Sequence, residues 1–143
     1  HAIGHLGEEK ASNGWDGFRA RKEIEKLNLS CIADLAKKLE SVPEGNGTML
    51  DNTLIVYMSC NGGDHHGGQM DWPFVLVGGM AKKIRMGRYI EFPKYEEQGH
   101  RTIGNLYLSL MHAAGLKAPE TFGQLDAKLK HLEVTGPLTE LVG

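Results

Sequence analysis

Cysteine is nearly absent: Cys31 and Cys60 are the two thiols of a 143-residue chain. Two cysteines without CxxC spacing cannot form a disulfide scaffold. Cys31 falls on a helical apolar face and Cys60 at the end of a strand-like run, which predicts buried free thiols. No apolar run approaches the ~18 residues of a membrane-spanning helix. There is no block of basic residues, and 16 Lys+Arg against 18 Asp+Glu leave a formal charge of −2. That balance argues against nucleic acid or anionic lipid as an obligate partner. A GxSxG elbow and a phosphate-cradling P-loop are also missing, which removes several common enzyme classes. What remains is ordinary globular usage, 41% hydrophobic and 24% charged, in a length that fits a single domain over 1–143 with enough chain to bury a core.

The pattern along the chain is α/β. The first sixteen residues, opening on His1-Ala2-Ile3-Gly4-His5, read as an irregular lead-in without an initiator Met or the regions of a signal peptide. From Gly17 to Val42, Phe18, Ile24, Leu27, Cys31 or Ile32, Leu35, Leu39 and Val42 recur at helical spacing and form an apolar stripe. Asp16 is placed to cap this helix, and Pro43 with Gly45 closes it. Asn46-Gly47-Thr48 matches a glycosylation acceptor but reads better as a turn.

Thr53–Ser59 and Pro73–Val77 are short runs rich in β-branched residues, which predicts strands covered on both faces as in a parallel sheet. Gly87–Phe92 alternates and predicts a third, peripheral strand. Thr102 opens a second helix through Ile103, Leu106, Tyr107, Leu110, Met111 and Ala114, with Gly115 as its left-handed cap and Leu116 set to pack back on the last turn. Beyond Pro119 the pattern weakens to a loose tail.

The chemistry-bearing segment lies between the two apolar runs, at Cys60–Trp72. Its four glycines permit tight turns around Asp64, His65 and His66, and ligands of open α/β sheets bind at the carboxyl ends of strands. Carboxylate plus imidazole is a donor set for zinc, manganese or iron. Three consecutive residues do not easily converge on one ion, so other parts of the chain would have to contribute. A flexible glycine-rich connection accounts for the same residues, with Asp64 holding a turn. His1 and His5 have i, i+4 spacing, although Gly4 and Gly7 weaken a helix there. His100, His112 and His131 read as capping, exposed or structural, and Trp72-Pro73 as packing.

Taken in order, DNTLIVYMS (51–59), the Asp64-His65-His66 loop, WPFVLVGG (72–79), KIRMGRYI (83–90), NLYLSL (105–110) and Phe122-Gly123 resemble the C-terminal part of a bacterial exported family of unknown function, domain family fifteen fifty-two. The likeness covers nearly the whole chain. That family is distantly similar to the alkaline phosphatase and sulfatase superfamily, which implies a partial alkaline-phosphatase-like layered sheet with flanking helices. It also implies a bimetal site at strand ends and a nucleophile in an N-terminal half, so that this chain would be the C-terminal fragment of a longer exported (periplasmic or extracellular) protein.

Carried over by position, His1 and His5 fall where the superfamily has an Asp-x-x-x-His pair. Ser59-Cys60 replace its strand-end Asp-His pair, and His65 or His66 matches its later His. The resemblance thus implies at most a one-metal site, holding zinc or manganese through His1, His5 and His65 or His66. The function it implies is that of a metal-dependent phosphate or sulfate ester hydrolase-like fold, inactive as this piece alone. The alternatives are a non-catalytic secreted structural or interaction module with a decayed metal site, and a stand-alone binding domain using the 60–72 loop. A fold cut through its sheet exposes edges and apolar surface, which predicts self-association.

Overall fold

The computed structural model of the chain describes residues 13–59, 72–123 and 132–142. Asp16 is extended and its carboxylate accepts the Arg19 amide at 2.7 Å. This satisfies one of the orphan donors of the first turn, so helix α1 (Gly17–Glu40) starts where the sequence predicts. Arg21–Glu25 and Lys26–Glu23 pair at 3.1 and 2.7 Å across its turns.

The apolar stripe behaves differently from the prediction. Gly17 and Ala20 are buried and Ile32, Ala36 and Leu39 half-buried, but Ile24, Leu29 and Leu35 are exposed, Phe18 is 68% exposed and Leu27 63%. Cys31 is exposed too, which corrects the expectation of a buried thiol. At ~3.6 residues per turn, Ile32, Ala36 and Leu39 form one edge of a wide apolar face, and Ile24, Leu27, Cys31 and Leu35 form the other. The first edge is partly covered; the second faces solvent.

A tight hairpin follows, β1 (Pro43–Glu44) against β2 (Gly47–Thr48), turning through Gly45 at φ +58°. Of the Asn46-Gly47-Thr48 triplet, Asn46 thus lies in the turn and Gly47-Thr48 form β2. Thr48 leads into one helical turn, α2 (Met49–Asn52), which packs on α1. Both the Thr48 amide and its hydroxyl donate to Asp51 Oδ2, at 2.7 and 2.9 Å. Those two bonds, with a smaller contribution from the Lys82 charge, hold the Asp51 carboxyl below its ordinary range.

Strands β3 (Ile55–Met58) and β4 (Phe74–Val77) pair antiparallel, from Ile55 opposite Val77 to Met58 opposite Phe74. This corrects the parallel sheet: an apolar run records coverage, not direction, and a parallel pair needs a crossover of a dozen or more residues, usually a helix. Residues 60–72 carry no helical stripe. Nor are both faces fully covered, since β3 is half-buried throughout and Val75 is exposed. The described residues are thus a mixed α/β arrangement with two small antiparallel sheets.

Where β4 ends, the chain turns sharply. Gly78 sits at φ +92° with the Thr53 carbonyl oxygen where a Cβ would stand and the Leu50 carbonyl 2.9 Å from that point. Met80, Ala81 and Lys82 are all left-handed, at φ 47°, 57° and 66°, a conformation that costs a side-chain-bearing residue ~1–2 kcal/mol. They are held by bonds from the Ala81 amide to Asp51 O (2.6 Å) and the Met80 amide to Thr53 O (3.2 Å). The turn delivers Ile84 into the core, where it bridges Val142. Gly87–Phe92 is irregular, not a third strand, and Tyr89 is 87% exposed.

The core gathers on α3 (Ile103–Ala113). Thr102 caps it in a reciprocal box with Asn105. Gly115 at φ +71° closes it, the Gly115 and Leu116 amides donating to the carbonyls of His112 and Met111, each at 3.0 Å. Leu116 itself is exposed, so the cap rests on the backbone. The buried residues are Asn105, Leu106, Leu108, Ser109 and Ala113, a face rotated from the predicted stripe.

Asn105, with no exposed surface, uses its whole amide. Oδ1 accepts from the Thr102 amide and hydroxyl at 2.8 Å each, and Nδ2 donates to the carbonyls of Thr135 (3.1 Å) and Gly136 (3.0 Å). One turn later the Ser109 hydroxyl accepts the Leu138 amide at 2.7 Å and donates to Asn105 O. The tail over 132–142, expected to be loose, is therefore clamped to α3, with Leu138 buried beside Leu106 and Leu108 in the core.

Candidate functional site

Strand β4, the segment after Ile84, α3 and the clamped tail together line a groove of about 1050 Å³, at the upper end of ligand-pocket sizes. Strand alternation places Trp72, Phe74 and Leu76 on one side of β4 and into this groove. Helix α3 adds Ile103 and Leu106, and the tail adds Leu132, Leu138 and Leu141. The irregular segment after Ile84 supplies aromatic rings, Tyr89, Phe92 and Tyr95, alternating with cations, Arg85, Arg88 and Lys94; Arg101 stands just before α3.

Five of the chain's ten Phe, Trp and Tyr residues and three of its five arginines line this one concavity. Among the described residues the lining holds four cations against one carboxylate, Glu91, so within a chain of net charge −2 the described lining is locally positive. None of Arg85, Arg88, Lys94 and Arg101 forms an ion pair with another described residue. The Trp72 and Phe74 rings lie 6.4 Å apart, and Tyr95 meets the edge of His100 at 5.7 Å. His100 Nδ1 donates to the Pro93 carbonyl at 3.0 Å, fixing the ring beside the groove.

A smaller cavity of about 560 Å³ adjoins it through His100 and Leu132, lined by Glu96, Glu97 and Glu133. The Glu133 carboxyl is held below its ordinary range, chiefly by the Thr135 hydroxyl and amide and slightly by Arg101. The two cavities thus have opposite electrostatic character on either side of His100.

The residues that sequence reasoning singled out for metal binding, His1, His5, Asp64, His65 and His66, lie outside the described residues, as does Cys60. Among the described residues no three His, Cys, Asp or Glu side chains converge as a metal site, and no helix is long and apolar enough to cross a membrane. His112 is exposed on α3. What the sequence reading missed is the groove, whose signal was the Arg–aromatic interleaving of Arg85–Tyr95, of which Gly87–Phe92 was read as a peripheral strand. No family model, curated protein or solved structure was found to match the chain.

Proposed function

We propose that the chain is the C-terminal part of a metal-dependent phosphate or sulfate ester hydrolase-like fold, within an alkaline-phosphatase-like layered sheet, and that it recognises the anion rather than completing the reaction alone. The observation that carries this reading is the positive, aromatic groove. Its first lining residue, Trp72, follows Asp64, His65 and His66 by six to eight positions in the sequence. Unpaired arginines are the side chains best matched to the planar, multi-oxygen faces of phosphate and sulfate.

His1, His5, Asp64, and His65 or His66 are the residues that would hold the ion, and imidazole nitrogens with one carboxylate suit zinc or manganese. A divalent ion in such a set polarises an ester oxygen and stabilises developing charge. The described residues contribute the rest: Arg85, Arg88 and Arg101 attract and orient the anion, and Trp72 and Phe74 cover its organic portion. The export implied by family resemblance belongs to the same proposal.

Elemental analysis and thermal shifts with Zn²⁺ and Mn²⁺ test it on the wild type and on the His65→Ala/His66→Ala variant. One bound ion per chain, lost in the double variant, is expected. A wild type that retains no metal and gains no stability from either ion would overturn the metal-dependent reading.

A second reading, a secreted interaction module without catalysis, is favoured by the exposed edge of α1. Ile24, Leu27 and Leu35 on one helix form an apolar patch of the kind that marks association sites. Self-association is its expected outcome, and a clean monomer by light scattering at high concentration would count against it.

A further inference from the structure

We infer that the groove between β4, the Arg85–Tyr95 segment and α3 is a binding site for a planar aromatic anion, a flat ring system carrying one sulfonate, sulfate or carboxylate. The inference rests on the anion-recognition reading above and narrows it to a ligand class.

Charge complementarity fixes the sign. Among the described residues four cations and a single carboxylate line the groove, and none of the four cations forms an ion pair with another described residue. Shape and lining fix the body. The volume, about 1050 Å³, far exceeds what an inorganic anion fills, and the interior surfaces are Ile103, Leu106, Leu138 and Leu141.

Aromatic rings decide between a flat and a flexible body. Trp72 and Phe74 reach the groove from β4 and Tyr89 and Phe92 from the segment after Ile84, and Tyr89 is 87% exposed, its hydroxyl donating to Glu91 at 3.5 Å. An exposed tyrosine ring with a guanidinium one residue before it suits a π-face stacked on the ring and an acid group paired to Arg88. A polyanion is disfavoured, because the adjoining cavity presents Glu96, Glu97 and Glu133 to any extension past His100.

Titration calorimetry with naphthalene-2-sulfonate, in metal-free buffer, tests the site. Saturable binding of one ligand per chain is expected, with 2-naphthylmethanol (the ring without charge) and inorganic sulfate (the charge without a ring) each at least tenfold weaker. Arg85→Gln/Arg88→Gln is expected to weaken binding at least tenfold and Tyr89→Ala severalfold. Both replace exposed side chains, so the fold stays intact. Leu27→Gln on α1 is expected to leave the affinity unchanged.

Equal affinity for the neutral ring, no effect of the arginine pair, or loss of binding in Leu27→Gln would each overturn the inference. The probe is not hydrolysed and needs no metal. Binding that persists in a chain retaining no ion therefore strikes the hydrolase reading alone, and absent binding in a chain that retains its ion strikes this inference alone.

Discussion

Helices α1 and α3 are made by the same local rules and meet opposite fates. Both start at a side-chain cap, Asp16 and Thr102. The longer helix buries Gly17 and Ala20 and shows Leu27 and Phe18 to solvent; the shorter one buries five residues and holds Leu138 against itself through Ser109. The difference lies in what returns to each helix. The tail comes back to α3 and is fixed there by Asn105 and Ser109, two polar groups whose bonds are all made inside the core. Along α1 one long-range polar contact between described residues is the Asn28 amide to Tyr57 Oη, long at 3.5 Å. Amphipathicity therefore states a capacity for burial, and the tertiary chain decides whether it is used.

The comparison can be broken first on the packed side. Gly78→Ala forces a Cβ onto the Thr53 and Leu50 carbonyls in a left-handed backbone, and chemical denaturation is expected to show a loss of about 4 kcal/mol. Wild-type stability in that variant would mean that the turn relaxes without cost. Asn105→Ala orphans the Thr135 and Gly136 carbonyls and the Thr102 amide. The expected cost is about 3 kcal/mol, with faster hydrogen exchange at Leu138 as the tail is released.

On the other side, Leu27→Gln and Leu35→Gln at exposed positions of α1 are expected to change stability by less than about 0.5 kcal/mol each. A loss of 2 kcal/mol or more would show that this face is covered in solution.

The smallest effect concerns pH. The folded Asp51 carboxyl lies below its ordinary value because Thr48 donates to it twice. The unfolded state therefore takes up the proton first as pH falls. The stabilisation is present above the ordinary aspartate range, near pH 4, and declines as pH falls toward the folded value. The acid limb of the melting temperature is expected to flatten in Asp51→Asn, and an unchanged limb would remove the Thr48–Asp51 box from the account of acid stability.

Legibility in the sequence followed the range of the physics. Helix starts and stops at Asp16, Thr102 and Gly115 depend on orphan amides and carbonyls within one turn, and the sequence displays them. Strand positions at 55–58 and 74–77 were legible from their β-branched runs. Strand direction was not, because it depends on how residues 60–71 connect them.

The tail looked loose because its partners, Asn105 and Ser109, are polar residues inside an apolar helix pattern and gain meaning only against backbone thirty residues away. The groove was hidden in the same way. Trp72, Arg88 and Leu138 are distant in sequence and meet through the turn after β4, left-handed at 80–82, and the tail clamped on α3, neither of which any periodicity announces. For His1, His5, Asp64, His65 and His66, which lie outside the described residues, the metal reading rests on the family resemblance and the donor chemistry alone.

The most direct measurement maps naphthalene-2-sulfonate onto ¹⁵N-labelled protein by chemical-shift perturbation. The predicted result is saturable shifts at the Trp72 indole and the amides of Arg85, Arg88 and Tyr89, with α1 residues 24–35 unmoved. Shifts concentrated on α1, or none at the groove, would contradict it and place recognition on the exposed helix instead.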